Sequence, residues 1–177
     1  FSAYRSYHGG TYGAANLTGE NRRFPSEPGI PGFVKFRGPH TYRCPINFET
    51  EEELSKYYLD MLREQIEFEG ADKVAAIFQE SVVGSNGVLI PPKGWMKGVR
   101  ALCDEYGIMM VCDEVMAGFG RTGEWFAINN WDVQPDMITF AKGITCGYVQ
   151  LGGVIVSERI AKHFDDNKLW CGLTYSG

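Results

Sequence analysis

The sequence predicts an α/β protein, three layers of α/β/α built on a mainly parallel sheet. Short apolar runs such as Val74-Ala75-Ala76-Ile77-Phe78 and Ile108-Met109-Met110-Val111-Cys112 carry no polar interruption. Such runs mark strands buried on both faces, as in parallel sheets. Amphipathic helical stretches separate them, and that alternation is the pattern of a layered α/β domain. With 44% hydrophobic and 22% charged residues over 177 positions, the chain can bury a sizeable core.

Residues 1–49 read as an ordered, aromatic-rich excursion, because Gly9, Gly10, Gly13, Pro25, Pro28, Pro31 and Pro39 punctuate them too densely for long helices. Thr50-Glu51-Glu52-Glu53 has the form of a capping box. Leu54, Tyr57, Tyr58, Met61, Leu62 and Ile66 then recur at helical spacing as far as Gly70. Val74–Phe78 is the first expected strand. Pro91 and Pro92 open a second helix with Trp95, Val99, Leu102, Cys103 and Tyr106 on one face, and Gly107 stops it. Ile108–Cys112, Met137–Phe140 and Gly153–Val156 are three further strands. Ser157-Glu158 caps a last helix through Ile160, Ala161 and Phe164.

The formal charge of −5, with no block of Lys and Arg, argues against a nucleic-acid surface. Five cysteines, Cys44, Cys103, Cys112, Cys146 and Cys171, show neither a disulfide rhythm nor C-x-x-C spacing. They point to a reducing, cytoplasmic setting. His8, His40 and His163 are scattered, so no metal is implied. No apolar run reaches the roughly 20 residues a membrane helix needs. A small-molecule site is therefore the expectation.

In open α/β sheets ligands bind beyond the carboxyl ends of the strands, where Asp113 and Lys142 both fall. Taken alone, Asp113 has an ordinary explanation as a turn cap, and Lys142 as a solvated loop lysine. Their surroundings change the balance. Val111-Cys112-Asp113-Glu114-Val115 is followed by Gly118-Phe119-Gly120-Arg121-Thr122-Gly123. Pro135-Asp136-Met137-Ile138-Thr139-Phe140-Ala141-Lys142-Gly143 comes next. The glycine-rich stretch lacks the Lys-Ser/Thr of a P-loop and the strand-to-helix context of a dinucleotide fingerprint.

This succession resembles that of the class III, ω-amino acid:pyruvate type aminotransferases, which depend on pyridoxal phosphate and have the type I fold. The resemblance implies Lys142 as the Schiff-base lysine and Asp113 as the carboxylate against the pyridinium nitrogen. A lysine amine can condense with the cofactor aldehyde and later shuttle a proton. A carboxylate beside the ring nitrogen keeps that nitrogen protonated and electron-accepting. Tyr7-His8-Gly9 resembles an aromatic-His-Gly element in which Tyr7 stacks on the ring, and Val115 resembles the residue packed on its other face. Glu80 and Arg121 are candidates for lining or bracing the site. Ser81 and Gln150 stand where many members carry proline.

Gly172-Leu173-Thr174-Tyr175-Ser176-Gly177 resembles an element whose threonine reaches the cofactor of the neighbouring subunit, so Thr174 implies a homodimer. The expected substrates are an ω-amine or amino acid donor and an α-keto acid such as pyruvate. Aminomutase or decarboxylating chemistry, or a non-catalytic scaffold, are the alternatives. The resemblance further implies that 1–177 is a partial large domain, without the upstream phosphate-loop segment and the C-terminal small domain.

Overall fold

The computed structural model describes residues 1–170. Six strands form one sheet in the order β2-β1-β3-β4-β5-β6. They are β1 (Ser2–Ala3), β2 (Lys35–Phe36), β3 (Ala76–Glu80), β4 (Met109–Asp113), β5 (Met137–Phe140) and β6 (Gly153–Val156). All neighbours are parallel except β5 and β6, which run antiparallel. The helices are α1 (Tyr12–Leu17), α2 (Glu51–Glu69), α3 (Trp95–Tyr106), α4 (Glu158–Ala161) and α5 (His163–Asp166).

Helix α2 begins where Thr50 Oγ1 accepts the Glu53 amide at 3.2 Å. Its Leu54, Tyr58, Leu62 and Ile66, spaced four apart on one face, are at most 1% exposed. Trp95, Met96, Val99, Leu102 and Cys103 of α3 join them over Ile77, Met110 and Cys112 of the sheet to form the main core. Trp95 Nε1 donates to Gln79 Oε1 at 3.1 Å, locking the start of α3 to the carboxyl end of β3. Because side chains alternate along a strand, Phe78 and Val111 turn to the opposite face. There the His8 ring meets Phe78 edge-on, with centroids 6.3 Å apart.

Several boundaries differ from the expectation for local reasons. The first long strand starts at Ala76 and runs on to Glu80, because Val74 closes a 3-10 turn through its amide to Ala71 O. Helix α3 starts at Trp95 and not at the prolines, since Gly94 sits at φ 86°, where no α-helix continues. The last helix is two short pieces, α4 and α5. Strands β1 and β2, two residues each, and α1 lie within the segment read as irregular.

An ion cluster around the buried Asp136 ties the antiparallel edge. Asp136, just before β5, accepts from Arg100 at 2.8 Å, from Arg159 at 2.7 Å and from the Met110 amide at 2.8 Å. Burial opposes its charge, but the Met110 amide and the two guanidiniums outweigh that and hold its carboxyl below the ordinary aspartate value.

Candidate active site

The parallel register brings the ends of β3, β4 and β5 level: Glu80 pairs with Asp113, and Asp113 with Thr139, three residues before Lys142. These carboxyl ends form the edge at which an open sheet receives ligands. Asp113 and Lys142 therefore leave adjacent strands at the same edge.

Asp113 is 7% exposed. Its Oδ2 accepts from His8 Nδ1 at 2.7 Å and its Oδ1 from the Val115 amide at 3.0 Å. Each oxygen thus has one N–H partner and keeps lone-pair capacity for another. The His8 side chain is 3% exposed, and its buried Nε2 has no partner among the described residues. The predicted Tyr7-His8-Gly9 element and Asp113 are thus brought together across 105 residues of sequence.

Glu80 binds the same element from the next strand. Its Oε1 accepts the Tyr7 amide at 2.8 Å and its Oε2 the Gly84 amide at 2.7 Å. Burial pushes the Glu80 carboxyl above its ordinary value, against the pull of the Gly84 and Tyr7 amides and of His8, and with the added repulsion of Asp113. The Tyr7 ring carries the Arg22 guanidinium at 3.7 Å from its centroid, and Glu20 pairs with Arg22. Val115 follows the strand end and is half-buried.

Sequence reasoning missed Glu114. Its side chain is fully buried and accepts from Ser81 Oγ at 2.6 Å, the Ile128 amide at 2.8 Å and the Ala127 amide at 2.9 Å. Three donors offset the desolvation of a buried carboxylate. Ser81, where proline is common, thereby has a partner that proline could not serve. The available signal was an acidic residue directly following a strand-end aspartate, which alternation turns to the opposite face.

Lys142 opens a single 3-10 turn, Lys142–Ile144, at φ 44°. Its side chain is exposed. The Gly118–Gly123 loop lies against this turn through Phe119, whose ring meets Phe140 edge-on at 5.7 Å. Arg121 is exposed and makes no side-chain hydrogen bond or ion pair among the described residues. Thr174 lies outside the described residues.

The family model of the class-III aminotransferases matches residues 1–177. The chain belongs to the class-III aminotransferase family. This class-III chain is 42% identical to a probable aminotransferase of Mycobacterium tuberculosis over 97% of its own length and 37% of the relative's. It superposes on the taurine:2-oxoglutarate aminotransferase of Bifidobacterium kashiwanohense, crystallised with PLP and glutamate, with a TM-score of 0.95 and 58% identity. That match covers 99% of this chain and 40% of that one. An (S)-enantioselective omega-transaminase from Thermomicrobium roseum superposes with a TM-score of 0.93 and 42% identity, over 99% and 40% of the two chains. The chain thus spans well under half the length of these relatives. Its type I transaminase fold, a partial domain, is the one the sequence implied.

Proposed function

We propose that this chain supplies the cofactor-binding core of a pyridoxal-phosphate-dependent aminotransferase, which moves an amino group from an ω-amine or amino acid to an α-keto acid. The observation carrying this is the buried Asp113 carboxylate, held by His8 one strand away from Lys142 at the carboxyl edge of the sheet. The residues fit the group. Asp113 retains acceptor capacity for a ring N–H, and the acidic strand ends favour a cation there.

When bound, pyridoxal phosphate supplies an aldehyde and a protonated ring able to take up the electrons released at the substrate carbon. Asp113 holds the negative charge at the ring nitrogen. His8, donating to Asp113 Oδ2, fixes the orientation of that carboxylate. Tyr7 and Val115 would flank the cofactor, and Glu80 fixes the backbone of Tyr7. Lys142 would hold the cofactor through its amine, and the same amine, when free, would move a proton at the substrate carbon. Arg121 borders the mouth of the site.

The 58% identity to a taurine:2-oxoglutarate aminotransferase supports an aminosulfonate or similar ω-amine as donor, with 2-oxoglutarate or pyruvate as acceptor. A cytoplasmic homodimer in which Thr174 reaches the neighbouring cofactor completes the proposal. The free thiols Cys44, Cys103, Cys112 and Cys146 suit a reducing compartment.

The test is the full-length protein with pyridoxal phosphate, assayed with taurine and a panel of ω-amines against both keto acids. A visible cofactor band, lost in Lys142→Ala, and amino transfer to one keto acid are expected. A band without transfer to either acceptor would overturn transamination.

A further inference from the structure

We infer that Phe119 is a positioning residue for Lys142, a strut that holds the lysine's backbone in place from the Gly118–Gly123 loop. The inference rests on the role proposed for Lys142. Lys142 sits at φ 44°, in the left-handed region that a residue with a Cβ occupies at a cost. Such a conformation persists only where the surroundings over-determine it.

Phe119 provides those surroundings on both sides of the lysine. Its ring meets Phe140, two residues before Lys142, with centroids 5.7 Å apart and planes at 72°. Its Cβ lies so close to Gly143, the residue after Lys142, that a Cβ added there would come within 2.9 Å of it. The same added atom would be 3.4 Å from Gly118 O. A glycine at 143 is thus what lets the lysine turn close onto the loop.

The strut is itself anchored. Phe119 stacks edge-on with Phe126 at 5.5 Å, and its amide donates to Trp125 O at 2.6 Å. Directly beyond Phe126, the Ala127 and Ile128 amides donate to the buried carboxylate of Glu114. Phe119 is also at φ 61°, a second strained position facing the first. Contacts therefore run from the buried Glu114 beyond β4 to Phe140 and Gly143, on either side of the reacting lysine. A displacement of the order of 1 Å at a reacting group can cost on the order of a hundredfold in rate, so a backbone strut matters to the chemistry.

The experiment is single-turnover reaction of the full-length holoenzyme with an amine donor, followed by the cofactor absorbance. Phe119→Ala should form the wild-type cofactor band and keep the donor KM within about twofold. Its rate constant per occupied site should fall roughly tenfold or more, and Phe119→Tyr should recover most of it. A residue that only stabilised the fold would lower cofactor occupancy and leave that rate constant unchanged. Either that result or a wild-type rate in Phe119→Ala overturns the inference while leaving the proposed function standing.

Gly143→Ala gives a second route. It should slow the same step, but Phe119→Gly/Gly143→Ala should be no slower than Phe119→Gly, because the violated contact is gone. Effects that multiply would contradict the strut. A wild-type protein that forms no cofactor band contradicts the proposed function itself, and the strut with it.

Discussion

At the carboxyl ends of β3 and β4 every acidic side chain is buried and bonded. Glu80 accepts two backbone amides, Asp113 accepts His8 and Val115, and Glu114 accepts Ser81 and two amides. One strand further on, Lys142 is exposed, and the apolar Val154, Ile155 and Val156 of β6 are 40% to 55% exposed. A buried carboxylate must have its donors in place within the fold, or its desolvation goes uncompensated. An amine at a strand end carries no such demand until it is enclosed. The acidic half of the site is thus built by contacts inside this chain, while the lysine half presents only a positioned backbone.

The sharpest break of this contrast would come from Asp113→Asn. If the carboxylate serves the chemistry beyond capping its turn, kcat/KM for the amine donor should fall roughly a thousandfold. Steady-state kinetics of the full-length enzyme measures it. Glu114→Gln probes the structural side of the same strand end. An amide there must turn its NH2 toward a buried N–H, at about 3 kcal/mol in chemical denaturation. Ser81→Ala removes one donor of three and should cost only about 1 kcal/mol.

Acid titration separates the two ends of the sheet further. The Asp136 carboxyl is held below its ordinary value, so its contribution is present above the usual aspartate range and is lost as pH falls through the lowered value. Asp136→Asn should therefore lose about 2 kcal/mol near neutrality and flatten the acid limb of a plot of Tm against pH. Glu80 has the opposite sign. Its raised carboxyl contributes stability below the usual glutamate range, which is lost as pH rises through the raised value.

Much of the frame was legible because its signals are local. Four-residue spacing announced α2, and short, mainly apolar runs announced β4, β5 and β6. The positions of Asp113 and Lys142 followed from where those runs end. What escaped is what depends on distant partners. Strands β1 and β2 are too short to show a period and exist only because β1 pairs with β2 on one side and β3 on the other. The His8–Asp113 bond spans 105 residues and leaves no trace in spacing. Glu114, given no role in the sequence reading, is a buried anchor whose donors come from Ser81, Ala127 and Ile128. Phe119 belonged to a motif noted for its glycines and Arg121, whereas the side chain touching the lysine turn is the aromatic one.

Chemical trapping of the lysine is the most direct test of the whole account. Full-length protein incubated with pyridoxal phosphate, reduced with borohydride and digested should carry the pyridoxyl label on Lys142. Label on another lysine such as Lys35 or Lys73, or no label at all, would contradict it.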